Sequence, residues 1–127
     1  MNESGLPKEL HELVLRFVDS LEELEILLLL RGADNQAWSV RAVNERIRST
    51  EVSVEQRLEK LSASGFVSKS GNAYRFAPQS KDLERAAELL AEGYRERRLK
   101  IIEAIFSKPL HGIRSFSDAF IIRTKKE

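Results

Sequence analysis

The chain contains no cysteine. Disulfide staples, thiolate metal sites and thiol nucleophiles are thereby excluded, and a fold of 127 residues must rest on its apolar core. Histidine is nearly absent: His11 and His111 lie one near each end, and neither has a ligand partner at metal spacing. The 6 glycines never assemble into a phosphate-cradling loop. Serine, histidine and aspartate fall into no ordered hydrolase motif. Long hydrophobic runs are missing too, the longest being Ile26 to Leu30, whereas a membrane helix needs roughly 20 apolar residues. The opening stretch Met1 to Pro7 is polar and carries Glu3, unlike a secretory signal. These absences leave no catalytic apparatus, no cofactor or metal and no membrane span, and are those expected of a non-enzymatic cytoplasmic protein.

What is present is ordinary for a folded domain: 42% hydrophobic and 32% charged residues, with a net charge of only +1. The distribution of charge says more than the total. Residues 20–34 carry 1 basic and 4 acidic side chains, whereas residues 35–80 carry 7 basic and 4 acidic. Residues 81–127 are also basic, with 11 against 8. A surface for an acidic partner is therefore expected in the middle or C-terminal part.

Periodicity predicts a mainly helical chain with one small β-hairpin, an α+β class. Pro7 to Asp19 reads as a first helix, with Leu10, Leu13, Val14 and Phe17 at helical spacing. Ser20 with Glu23 forms a capping box for a second helix that Gly32 ends. Ala37-Trp38 is extended, Ser39 caps a third helix over 40–48, and Ser53 caps a fourth over 54–64, stopped by Gly65. Phe66 to Lys69 and Ala73 to Phe76 flank the turn Ser70-Gly71-Asn72 as a hairpin. Ser80 opens one long helix to about Ser107, roughly 40 Å in length, which Pro109 and Gly112 break. A short helix over 115–123 and a basic tail follow.

This order divides the chain into an N-terminal helix (1–19), a central unit (20–78) and a C-terminal helical element (79–127). The central unit resembles the winged helix-turn-helix superfamily of bacterial transcription regulators. The resemblance is carried by Trp38-Ser39, by the run Ser53 to Leu61, and by Gly65-Phe66-Val67. The spacing of Leu58, Leu61, Gly65 and Val67 looks like the recognition-helix-to-wing joint of MarR-like and ArsR-like regulators. It implies a sequence-specific transcription regulator that binds double-stranded DNA as a dimer, with no effector specified.

The residues themselves carry a matching chemistry. Val54, Leu58 and Leu61 occupy one sector of the fourth helix, so Ser53, Gln56, Glu59 and Lys60 face the other way, with Arg57 at the edge. Gln56 is suited to adenine, Lys60 or Arg57 to guanine, and the free N–H groups near Ser53 to a phosphate. Lys69, Asn72 and Arg75 on the wing would meet the DNA backbone or minor groove. Glu55 and Glu59 argue the other way, because carboxylates repel phosphates. They support the alternative of a winged-helix adaptor that binds protein and not DNA. The long helix presents Leu83, Leu90, Tyr94, Ile101 and Ile105, which are expected to form the seam of a homodimer.

Overall fold

The computed structural model of the chain describes residues 5–33 and 35–107. His111, the Pro109 and Gly112 breaks, the short helix expected over 115–123 and the basic tail lie outside the described residues. The structure is mainly helical with a small antiparallel sheet.

Helix α1 (Lys8–Phe17) begins one residue after Pro7, whose missing N–H costs nothing there, and buries Leu10 and Val14. Helix α2 (Leu21–Arg31) is capped by Ser20, whose hydroxyl accepts from the Glu23 N–H at 3.0 Å. The Glu23 carboxylate reaches back one residue further than a capping box, accepting from the Asp19 N–H at 2.8 Å. Leu24, Ile26, Leu27 and Leu30 are buried, as expected of the most apolar helix. Helix α2 touches α3 (Val40–Ile47), α4 (Glu51–Ser64) and α5 (Lys81–Glu96), so it runs through the core.

Strand β1 (Trp38–Ser39) leads into α3, where Ser39 accepts from the Ala42 N–H at 3.0 Å. Arg48 ends α3 in the left-handed region, at φ 65°. The chain then turns at once into α4, and here the expected cap shifts. Thr50 is the capping residue, its hydroxyl accepting from the Ser53 N–H at 3.1 Å, so α4 starts three residues earlier than Ser53 would place it. Two hydroxyl residues three apart offer alternative caps. Starting at Thr50 places Glu51 in the first turn, where the helix dipole favours a carboxylate. Gly65 closes α4 at φ 94°, a conformation L side chains rarely adopt, and an added Cβ would meet Leu83 at 2.9 Å.

Strands β2 (Val67–Ser70) and β3 (Ala73–Phe76) form the hairpin about Gly71-Asn72, with Ser70 opposite Ala73. Strand β1 adds to the other side of β3, Trp38 opposite Tyr74, giving the order β1-β3-β2. Phe66, just before β2, meets Phe17 of α1 edge to face, with ring centroids 5.1 Å apart.

The single long C-terminal helix is replaced by two. Helix α5 is capped by Ser80, as expected, but ends at Arg97, whose backbone (φ −136°, ψ 47°) is not helical, and α6 (Arg98–Ser107) follows. A straight helix would carry its last turns beyond the core. The bend folds α6 onto α1 and α5, where Ile101, Ala104 and Ile105 are buried. Gly93 permits the close approach, since an added Cβ there would lie 2.5 Å from Leu10 and 3.3 Å from Ile101.

Candidate functional site

The surface formed by α3, α4 and the β2–β3 hairpin is where sequence reasoning placed the site. Val54, Leu58 and Leu61 anchor α4 inward, so its remaining faces are fixed by helical geometry. Direction along the helix circumference does not settle where a long side chain ends, and here three of the four predicted cations turn to carboxylates of the protein itself.

Lys60 leans back towards the junction of α1 and α2. Its ammonium lies 2.7 Å from Asp19 Oδ2 and 2.9 Å from Glu23 Oε2, and it also donates to the Phe17 carbonyl at 3.4 Å. Burial pulls the Lys60 pKa down, but hydrogen bonds to Asp19 and Glu23 outweigh it and hold the group above its ordinary value. Arg57 faces Glu22, its Nε 4.0 Å from Oε2; that nitrogen is buried without a hydrogen-bond partner, so the contact is ionic only. The Ser53 hydroxyl donates to the same carboxylate at 2.8 Å. Lys69 on β2 donates to Glu59 Oε2 at 2.9 Å and lies over the Tyr74 ring, 5.5 Å from its centroid. The Tyr74 hydroxyl donates to the same oxygen at 2.5 Å. The Tyr74 bond first, and the Lys69 bond after it, hold the Glu59 carboxyl below the usual carboxylate range.

Of the predicted contact residues, Gln56, Asn72 and Arg75 remain exposed, and Asn72 lines one cavity with Lys69. What α4 presents outward is a row of carboxylates, Glu51, Glu55 and Glu59, beside Val52 and Gln56. Val52 is 69% exposed. Sequence reasoning missed it because a start at Ser53 left it in a turn. A shallow cavity of about 410 Å³ lies between the start of α3, this face of α4 and the hairpin, with Arg41, Val52, Glu55, Lys69 and Asn72 among its lining residues.

The residues expected to form a dimer seam are placed otherwise. Leu90, Ile101 and Ile105 are fully buried within the protomer, and Leu83 and Tyr94 pack partly buried against the same core. The Tyr94 hydroxyl donates to Glu25 at 3.1 Å, tying α5 to α2. The bend at Arg97 is the physical reason: it returns the apolar stripe to its own domain. Among the described residues no group of three acidic, histidine or cysteine side chains could hold a metal ion, and no helix is long and apolar enough to cross a membrane.

In comparisons with family models, with curated proteins and with solved structures, the chain has no significant match.

Proposed function

We propose that residues 20–78 act as a winged helix whose α4–hairpin face binds another protein and does not read double-stranded DNA: a protein-interaction adaptor without catalysis, suited to the cytoplasm. The support for the winged-helix reading is the element order, with α2, β1, α3, a tight turn, α4 and a hairpin whose β3 strand pairs with β1.

The observation that carries the adaptor reading is the pairing of Arg57, Lys60 and Lys69 with Glu22, with Asp19 and Glu23, and with Glu59. A DNA reader draws most of its non-specific affinity from cations that displace counterions at phosphates. Cations already paired with internal carboxylates contribute little to that. The outermost row of α4 would present Glu51 and Glu55 to a phosphate backbone, which repels them. Arg41, Arg46, Arg48 and Arg75 are exposed as well, and of these Arg41 lies 3.8 Å from Glu45.

The test is a titration of the full chain with a random-sequence duplex across salt concentrations. The expected result is binding weaker than about 10⁻⁴ M at physiological salt, below the ordinary range of non-specific DNA binders. Micromolar binding with a steep negative salt slope, and amide shifts on α4, would restore the DNA-binding regulator that the sequence resemblance implies.

A further inference from the structure

We propose that residues 113–120 of this same chain dock on the apolar face of α6 formed by Leu99, Ile102 and Phe106. This concerns the C-terminal element and does not depend on what the α4–hairpin face binds.

Helix α6 is apolar on more than the side it buries. Ile101, Ala104 and Ile105 turn into the core. Leu99, Ile102 and Phe106 follow the i, i+3, i+7 spacing that aligns side chains on one helix face, beside the buried one. Leu99 is 74% and Phe106 67% exposed, and Ile102 is half-buried. A helix that is apolar around most of its circumference is ordinarily covered on most sides. The described residues cover only the Ile101–Ile105 side.

The sequence that follows names the occupant. Helix α6 ends at Ser107, and residues 108–127 come directly after it. Phe116, Ala119 and Phe120 share one face of the helix expected over 115–123, and Ile113 precedes them. From Ile113 to Phe120 the spacing is again i, i+3, i+7, so the two stripes match in length at about 10 Å. Pro109 and Gly112 lie between them, where a reversal of direction needs a helix stop. Residues 108–112 fall within the roughly 2–8 residues that usually join antiparallel helices. Antiparallel docking would set Phe120 beside Leu99, Phe116 beside Ile102 and Ile113 beside Phe106. A second copy or a foreign helix would have to compete with a stripe tethered by a short connection, at an effective concentration on the order of millimolar.

The test is nuclear magnetic resonance on the full chain. The expected result is through-space contact between the Phe120 ring and the Leu99 and Ile102 methyl groups, unchanged on dilution. Leu99→Ser with Phe106→Ser should then speed amide hydrogen exchange in residues 116–122 at least tenfold, while amides of α2 and α4 keep their protection and show that the core is intact. Phe116→Ser with Phe120→Ser should give the reciprocal result, faster exchange at α6. Absence of the Phe120 contacts in the unaltered chain would overturn the proposal, and that reading needs no variant to fold. Unchanged exchange in residues 116–122 after the α6 substitutions would overturn it as well. Contacts seen only between differently labelled chains in a mixed sample would make a second copy the occupant and overturn it too.

Discussion

Lys60 on α4 reaches Glu23 on α2 at 2.9 Å, and the Glu23 carboxylate is only 1% exposed. Enclosing a carboxylate is costly unless it is partnered, and Glu23 has the Lys60 ammonium and the Asp19 N–H. The contact ties α4 to the first turn of α2. It thereby connects a sequence feature read as a base contact to the packing of the helix that would present it.

Replacing Lys60 by methionine should therefore destabilise the protein although it removes a charge from a surface helix. Breaking a fully buried pair costs about 3–5 kcal/mol. Because 36% of the Lys60 side chain is in water, about 2 kcal/mol is expected. The folded-state pKa of Lys60 lies above 10.5, so the pairing stabilises the fold fully below pH 10.5 and is lost as pH rises through the folded value. Urea unfolding at neutral pH should show the deficit, and the difference between variant and parent should shrink above pH 10.5. An unchanged midpoint at neutral pH would mean that Lys60 is free for a ligand after all.

Leu90→Ala tests whether the α5–α6 stripe is core or seam. Leu90 is fully buried inside one protomer, so truncation should cost about 2–5 kcal/mol through lost burial and the cavity left behind. The loss should be the same at every protein concentration. A melting temperature that rises with concentration in the parent chain, and a smaller loss in the variant at high dilution, would return Leu90 to an interface between copies.

Much of this architecture was legible in local chemistry. Ser20, Ser39 and Ser80 each accept the hydrogen bond expected of a cap, from Glu23, Ala42 and Leu83. The two short β runs flanking Ser70-Gly71-Asn72 located the hairpin. The start of α4 was ambiguous because Thr50 and Ser53 are both good caps, and only the backbone leaving Arg48 selects the first. No proline announces the bend at Arg97, and Gly93 lies a full turn before it; the bend's trace is the gap in the apolar stripe between Tyr94 and Ile101, which holds Arg97-Arg98. The surface was hardest to read. Helical periodicity tells which Cα faces out, but the long stems of lysine and arginine let the charge end some distance away. One signal was available: the acidic excess of residues 20–34 faces the basic excess of residues 35–80, and Glu22 and Glu23 meet Arg57 and Lys60 across α2 and α4.

Glu59 gives a pH-dependent test of how the hairpin is held. Its carboxyl lies below 4.5, chiefly through the Tyr74 hydroxyl and secondarily through Lys69. A depressed carboxylate pKa contributes stability above the unfolded value, and that contribution fades as pH falls through the folded one. Glu59→Gln keeps an acceptor for Tyr74 but loses the ion pair. The variant should be less stable than the parent at pH 6, and the two should converge well below pH 4.5. A gap that persists undiminished at pH 2 would assign the effect of the substitution to packing and not to the carboxylate charge.

On the proposed adaptor reading, the acidic row of α4 is what keeps this scaffold from binding DNA. In the reading of residues 20–78 as a winged helix, α4 and the hairpin keep the shape that lets a helix lie in a major groove, and what opposes binding is charge. Glu51→Lys with Glu55→Lys changes the local charge by four and disturbs no ion pair among the described residues. Both positions are exposed, so melting should move little, apart from a small cost for placing a cation in the first turn of α4. If shape is retained, the variant should bind duplex DNA in the micromolar range at low salt, with a logarithmic salt slope of roughly −3 for two new phosphate contacts and that of Arg75. Adding Arg75→Ala to that variant should lower the slope by about one further contact, because the hairpin then loses its own phosphate ligand. Sequence preference should stay weak, since lysine reads charge more than base edges. Binding by the reversed variant together with none by the parent would locate the discrimination in Glu51 and Glu55. A reversed variant that melts normally and still ignores DNA would show that the α4–hairpin surface has the wrong shape for a groove, and the protein-binding face would then owe nothing to a DNA-reading geometry.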